Sequence, residues 1–213
     1  MVFMGRPGAG KGTQARELCR RLGIPHISTG DMLRGYLNKG TPLGIEAKSV
    51  MDSGALVRDD LINEMVRNRL GLPDCRNGFL LDGYPRTVPQ AESFKAILKE
   101  LDQPQPVVVN LVVSYNHIVK RLSGRRVCPV CHRTYNLESQ PPSRDSVCDD
   151  DGAPLQQRSD DCEEAIRERF AAYDARTAPL VEFYKREGQL FEVDAERRPE
   201  EIVEALSHLL QVP

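Results

Sequence analysis

Gly5-Arg6-Pro7-Gly8-Ala9-Gly10-Lys11-Gly12-Thr13 is the stretch that decides the fold. The apolar residues Met1-Val2-Phe3-Met4 run into it, and a helix-forming segment, Gln14 to Leu22, runs out of it. The order is strand, glycine-rich turn, helix N-terminus. Such a turn aims several backbone N–H groups into one concavity, with the positive end of the helix dipole behind them. Gly8 and Gly10 let the backbone approach an oligophosphate with no Cβ in the way, and Lys11 is placed to reach the β- and γ-phosphates. The usual phosphate-loop pattern has Ser or Thr directly after the lysine. Gly12 stands there instead and Thr13 follows, so the hydroxyl that would ligate Mg2+ is displaced by one residue.

Outward from this loop, short apolar runs bounded by turn residues predict strands at Met1–Met4, His26–Ser28, Phe79–Leu81, Val107–Val113 and Leu190–Val193. Helical patterns lie at Lys11–Leu22, Asp59–Leu70, Val88–Glu100, Asn116–Leu122, Glu163–Glu187 and Pro199–Leu210. This alternation implies an α/β fold, a five-stranded parallel sheet between two helical layers. Ligands then bind beyond the C-terminal strand ends, which is where Gly5, Thr29, Asp82 and Ser114 fall. Pro179 is expected to kink the long helix from Glu163. Only four residues precede Gly5, so the first strand is either a short edge strand or one whose start has been trimmed. Thr29–Val57 and Arg125–Asp161 break the alternation. The expected organisation is a core of residues 1–27, 58–124 and 162–213 with insertions at 28–57 and 125–161.

At 213 residues and 40% hydrophobic content the chain can bury one core. A net charge of −2 supplies no global basic field, so nucleic acid and membrane are not expected partners. No apolar run is long enough to span a bilayer and no basic leader opens the chain, so a cytoplasmic location is expected. Clustered cysteines in such a chain point to metal rather than to disulfides.

Three groups of residues carry chemistry. The apolar run Phe79-Leu80-Leu81 ends in Asp82, the place where a phosphate-loop scaffold holds Mg2+, directly or through water. Arg34, Arg86, Arg121, Arg125, Arg158 and Arg169 lie near strand ends or in the longer insertion, as phosphoryl transfer requires of cations that neutralise spreading charge. Cys128-Pro-Val-Cys131 and Cys148-Asp-Asp-Asp151 form C-x2-C-x16-C-x2-D, two knuckles able to set four ligands around a structural Zn2+. Asp151 mirrors the spacing of the first knuckle and precedes Gly152. Asp149, Asp150, Cys162 and His132 are its rivals as fourth ligand. Cys128–His132 also spells a C-x-x-C-H haem-attachment pattern, which an export signal would have to accompany. No Ser/His/Asp or Cys/His set is evident. A GTP-binding switch would need N-K-x-D, and Asn38-Lys39-Gly40-Thr41 lacks the acid.

These motifs, together with Ser28-Thr-Gly-Asp-Met-Leu-Arg34, Gly54-Ala-Leu-Val57, Gly78-Phe-Leu-Leu-Asp-Gly-Tyr-Pro-Arg86 with Gln90, Arg121-Leu-Ser-Gly-Arg125-Arg126, Arg158-Ser-Asp-Asp161 and Arg167-Glu-Arg169, resemble the adenylate kinase family of the long, metal-bearing-lid type. The resemblance covers nearly the whole chain. It implies the reaction Mg·ATP + AMP ⇌ 2 ADP, with ATP, AMP and ADP as ligands and a monomeric enzyme. Gly8, Ala9, Gly10, Lys11, Gly12 and Thr13 would hold the ATP phosphates, and Thr134, Tyr135 and the backbone near Pro199 would meet the ATP base. Thr29, Arg34, Ala55, Leu56, Val57, Gly83, Tyr84, Pro85, Arg86 and Gln90 would hold AMP. Arg121, Arg125, Arg158 and Arg169 would clamp the phosphates, the last two also touching AMP. Lys11 and the clamp arginines, Arg86 included, would be catalytic. Asp82 would hold Mg2+ through water. Residues 28–57 would close over AMP and 125–161 over ATP. Thr29 and Gln90 favour AMP, since the related pyrimidine-nucleotide kinases are expected to have Ala and Asn there.

Overall fold

The computed structural model describes residues 1–53 and 55–210. Gly54, which opens the Gly54–Val57 motif, lies outside the described residues.

Five strands, β1 (Val2–Met4), β2 (His26–Ser28), β3 (Leu80–Asp82), β4 (Val108–Val112) and β7 (Leu190–Asp194), form one parallel sheet in the order β2-β3-β1-β4-β7. The first strand is therefore no edge strand. It pairs with β3 through Val2↔Leu81 and with β4 through Phe3↔Val109. The reason is legible afterwards: Val2, Phe3 and Met4 are all buried, and an uninterrupted apolar run suits a strand covered on both faces. Asp82 is the last residue of β3 rather than the residue after it.

Successive sheet residues point to opposite faces, and each face has its own core. Val2, Ile27, Leu81, Tyr84, Phe94, Ile97 and Leu180 fill one. Phe3, Leu18, Leu80, Leu111, Ile118, Leu122 and Leu206 fill the other. Helix α1 (Lys11–Leu22) follows β1 and stops at Gly23, whose φ of 65° a side chain would disfavour. The first insertion is two helices, α2 (Thr29–Asn38) and α3 (Pro42–Asp52). Ser28 caps α2 by accepting from the Asp31 N–H at 3.3 Å. A Cβ at Gly44 would overlap the backbone of Tyr36 and Leu37, so only glycine lets these helices cross this closely.

Helices α4 (Asp59–Leu70), α5 (Val88–Glu100) and α6 (Tyr115–Ser123) follow the predicted segments within a residue. The predicted long helix is two, α7 (Glu163–Ala172) and α8 (Pro179–Arg186), joined by a π-turn at Tyr173–Thr177 in which the Ala178 N–H donates to Tyr173 O at 2.8 Å. Pro179 has no N–H to continue an α-helix, and its ring excludes the carbonyl of the preceding turn. The wider turn absorbs the mismatch. Helix α9 (Pro199–Leu209) ends the described chain.

The second insertion carries an antiparallel pair that the sequence pattern does not reveal, β5 (Arg125–Val127) and β6 (Thr134–Asn136). Each strand is three residues long, too short to show alternation. Its apolar centre is only Cys128, Tyr135 and Cys148, with Ala153 and Leu155 against them. Among the described residues no helix is long and apolar enough to cross a membrane.

Candidate active site

The loop after β1 sits at mid-sheet, where the chain's connections diverge towards β3 and β2 on one side and β4 and β7 on the other. Two glycines there are obligatory. Gly8 has φ 84°, and a Cβ on it would lie 2.8 Å from Ile118 Cγ2 and 2.9 Å from Leu122 Cγ. Gly10 is the N-cap of α1 with φ 92° and no side-chain cap, and the first turn of α1 contains no acid. The leading N–H groups of α1 are thus left for an anion.

Lys11 folds back across the loop, donating to Gly5 O at 2.8 Å and Arg6 O at 3.1 Å. Burial pulls its pKa down to about 8, with Arg86, Arg169 and Arg125 adding to the effect and Asp82 opposing it. Asp82 faces it from β3. Burial works to raise the Asp82 carboxyl, and His26 and Lys11 outweigh that and hold it below the usual range. His26 Nε2 stands 3.7 Å from Asp82 Oδ2, too far for a hydrogen bond. A Cβ at Gly12 would come within 3.4 Å of the same oxygen. Glycine at the position after the lysine thus keeps the space beside Asp82 clear, and an acidic oxygen beside a phosphate cradle fits a hydrated Mg2+.

The arginines converge on one place, Arg125, Arg158 and Arg169 held by acids and Arg86 and Arg121 by backbone carbonyls. Arg125, in β5, forks onto the wholly buried Asp161, one arm through Nε at 2.7 Å. Arg158 binds Asp160 through both Nε and Nη2, at 2.8 and 2.7 Å. Arg169, in α7, donates to Asp160 O at 2.9 Å and lies 3.2 Å from both carboxylates. Burial and the neighbouring arginines pull Arg169 down to about 10 against the pull of Asp160. Asp160 stays ionised despite burial because Arg158 and Arg169 flank it. Arg121, in α6, donates to Ala195 O at 2.8 Å and reaches towards Ala9 O at 3.4 Å, spanning from the phosphate loop to the β7–α9 connection.

Two cavities meet at this cluster. The larger, of about 480 Å³, is lined by Gly8 to Thr13, Asp82, Arg121, Arg125, Thr134, Tyr135 and Pro199. Pro199 O is already an acceptor for Gln14 Nε2 at 3.2 Å. The Tyr135 hydroxyl accepts the Asp149 N–H at 2.8 Å inside the second insertion. The smaller, of about 80 Å³, is lined by Thr29, Arg34, Ala55, Leu56, Val57, Gly83 and Gln90. Arg34 is paired with Asp31. Arg86, Arg158 and Arg169 line both cavities. Tyr84 and Pro85 line neither. Tyr84 is fully buried, its hydroxyl donating to Asn63 Oδ1 at 2.7 Å.

Gln90 is almost fully buried and engaged at both ends, its Oε1 accepting from the Arg86 N–H and its Nε2 donating to Asp59 Oδ1, each at 2.7 Å. Sequence reasoning missed Asp59, Asp160 and Asp161. Two acids one residue after Arg158, in Arg158-Ser159-Asp160-Asp161, are the available signal for the second and third; Asp59 looks like any acid in a first helical turn.

In the second insertion the ligand atoms of Cys128, Cys131, Cys148 and Asp151 all lie within 4.8 Å of one another. Asp151 approaches Cys128 Sγ to 3.2 Å and is oriented by the Ala153 N–H at 2.9 Å. Two of its rivals are engaged elsewhere, Asp149 accepting from the Ser143 N–H at 2.8 Å and Asp150 pairing with Arg133, and neither Cys162 nor His132 belongs to the cluster. The N–H groups of Val130 and Cys131 point at Cys128 Sγ, both at 3.4 Å, as expected around a thiolate that binds metal. Three sulfurs and one carboxylate fit tetrahedral Zn2+.

The family model for adenylate kinase matches residues 3–189. Among curated proteins, the adenylate kinase of Methanocella arvoryzae is 47% identical over 94% of this chain and 93% of its own length. Those of Archaeoglobus fulgidus and Bacillus subtilis are each 46% identical over 99% of this chain and 97% of theirs. With the phosphate loop at mid-sheet and the arginines at the seam of two cavities, these likenesses over nearly the full chain mean that it belongs to the adenylate kinase family.

Proposed function

We propose that the larger cavity takes ATP and the smaller AMP, and that the γ-phosphoryl passes between them at their seam. The observation that carries this is that Arg86, Arg158 and Arg169 line both cavities. Cations at the seam can follow the charge as it spreads over the transferring group. The loop N–H groups and Lys11 hold the ATP phosphates. Arg121 and Arg125 close on them from the far side. Thr29, Arg34, the Ala55–Val57 segment, Gly83 and Gln90 hold AMP, and Thr134, Tyr135 and the backbone at Pro199 border the ATP base. Tyr84 and Pro85 contribute by shaping the turn that presents Arg86.

The AMP phosphate is itself an anionic nucleophile, so the residues need only align oxygens and neutralise charge. Mg2+ arriving with ATP supplies further charge neutralisation, with Asp82 holding its water shell. The clamp arginines leave Asp160 and Asp161 in part as the phosphates enter, so the acids keep the cluster soluble and folded between turnovers. Residues 28–57 act as the AMP flap and 125–161 as the lid, and their closure excludes water that would otherwise accept the phosphoryl group. A structural Zn2+ on Cys128, Cys131, Cys148 and Asp151 replaces the core the lid cannot build. The enzyme works as a cytoplasmic monomer.

Comparing phosphoryl transfer from ATP to AMP, UMP, CMP and GMP tests the assignment. AMP is expected to lead, and preference for any other acceptor would overturn it. Sedimentation at micromolar concentration tests the monomer.

A further inference from the structure

Asp59 begins α4 and lines neither cavity, yet it is bonded to Gln90, the side chain proposed to meet the base in the smaller one. Its Oδ1 accepts from Gln90 Nε2 at 2.7 Å, and its Oδ2 accepts from the Thr87 hydroxyl at 2.8 Å. The Thr87 hydroxyl in turn accepts the Gln90 N–H at 3.2 Å, capping α5. At the other end of the amide, Gln90 Oε1 accepts from the Arg86 N–H at 2.7 Å.

The chemistry of the partners allows one orientation of this amide. A carboxylate only accepts and a backbone N–H only donates. Turning the amide over would set Oε1 against Asp59 Oδ1 and the Nε2 hydrogens against the Arg86 N–H, losing both bonds and adding two repulsions in a buried place. Two valences remain: one hydrogen on Nε2 and one lone pair on Oε1.

A free donor and a free acceptor side by side suit a purine edge, and their order decides which purine. In a 6-aminopurine N1 accepts and the N6 amine donates. In a 6-oxopurine O6 accepts and N1–H donates. In a fixed pose the second demands the amide turned over. The same glutamine could therefore read either base, and what selects is the pair of groups that forbid it to rotate, of which Asp59 is the charged one.

We propose that Asp59 is a positioning residue for acceptor specificity: by fixing the Gln90 amide it makes the site accept a 6-aminopurine nucleotide and refuse a 6-oxopurine one. This rests on the reading of Gln90 as the contact to the AMP base.

The test is kcat/KM for AMP and for IMP at saturating ATP in wild type, Asp59→Asn, Asp59→Ser and Gln90→Leu. The replacement side chains in the two Asp59 variants can donate as well as accept, so they remove the charged one of the two constraints on Gln90 and leave only the Arg86 N–H against the turned amide, and the smaller serine repeats the test should the first variant fold poorly. Each is expected to lower the AMP:IMP preference by about tenfold or more, because a site stops rejecting a wrong hydrogen-bonding edge once it can re-pair with it. The loss appears in KM for AMP and as gained activity on IMP, with KM for ATP and melting temperature near wild type. A preference unchanged in both Asp59 variants overturns the proposal. So does an equal loss for AMP and IMP, which a merely structural role would give. Gln90→Leu separates the two readings: an unchanged preference there defeats the role of Gln90 itself, whereas a collapse there with intact preference in the Asp59 variants defeats Asp59 alone.

Discussion

At the scale of single residues, Lys11 shows how far burial and charge can be opposed in one side chain. It lies among Arg86, Arg125 and Arg169, and burial brings it to about 8 from an ordinary 10.5. Between these two values the unfolded chain binds the proton that the folded chain has released. Stability should therefore rise with pH across that window, since the state that binds more protons loses ground as protons become scarce. Catalysis runs the other way: KM for ATP should rise above pH 8 as the cation is lost from the free enzyme. Thermal denaturation between pH 7.5 and 10.5, compared in wild type and Lys11→Met, isolates the first effect as a difference that vanishes in the variant. At pH 7.5 Lys11→Met should also lower kcat by about 100-fold or more with the fold intact, because its charge acts on the transferring group; near-normal kcat would refute that role. The phosphate-loop residues, Asp82 and the arginines were all legible in the sequence, because glycine spacing and strand-end position carry their own geometry. Asp59 was not. Its significance depends on Thr87, Gln90 and the Arg86 N–H, about thirty residues away in sequence, and no local pattern announces such a partnership.

At the scale of elements, apolar runs and caps located each strand of the main sheet and the ends of α1, α4, α5, α6 and α9, but not the bounds of α2 and α3 or the break between α7 and α8, and failed where the determinant is a neighbour. That β1 is central follows from β3 and β4 flanking it, which four residues of sequence cannot disclose. The lid's strands escaped because a three-residue hairpin arm has no period to read. On the proposed reading the metal donors hold that lid, since its apolar centre consists of Cys128, Tyr135 and Cys148 with Ala153 and Leu155 against them. Elemental analysis should accordingly find about one zinc per chain, and Cys148→Ala should lower the melting temperature and release the metal; an unchanged transition would mean that the lid folds without it. The proposed AMP flap, the α2–α3 pair, depends on a different device. At Gly44 the α2–α3 crossing leaves no room for a Cβ against Leu37, so Gly44→Ala should spread the two helices and raise KM for AMP while KM for ATP changes little. Equal effects on both substrates would place the damage outside the flap.

At the scale of the whole molecule, the two insertions touch each other and the core across the cleft. Ser159, near the end of the second insertion, donates to Asp52 in α3 at 2.7 Å. Arg16 of α1 donates to His132 O at the lid's metal knuckle at 2.6 Å. Neither contact involves the phosphate loop or the clamp arginines, and on the proposed reading both would break as the cleft opens for nucleotides. On that reading they weight the balance between closed and open forms without touching the chemistry. An exposed hydrogen bond of this kind contributes about 0.5–1.5 kcal/mol, enough to shift that balance by about two- to tenfold. Ser159→Ala lines no cavity and removes only the hydroxyl. If opening limits turnover, as it does in many enzymes that close over their substrates, the variant should raise kcat, because products leave sooner. It should raise KM for AMP and ATP together, because closure over both becomes less favourable. Steady-state kinetics with each substrate varied, alongside interflap distances followed by fluorescence transfer, reads both effects. A lower kcat with unchanged KM values would show that the Ser159–Asp52 contact serves the transfer step and not the opening.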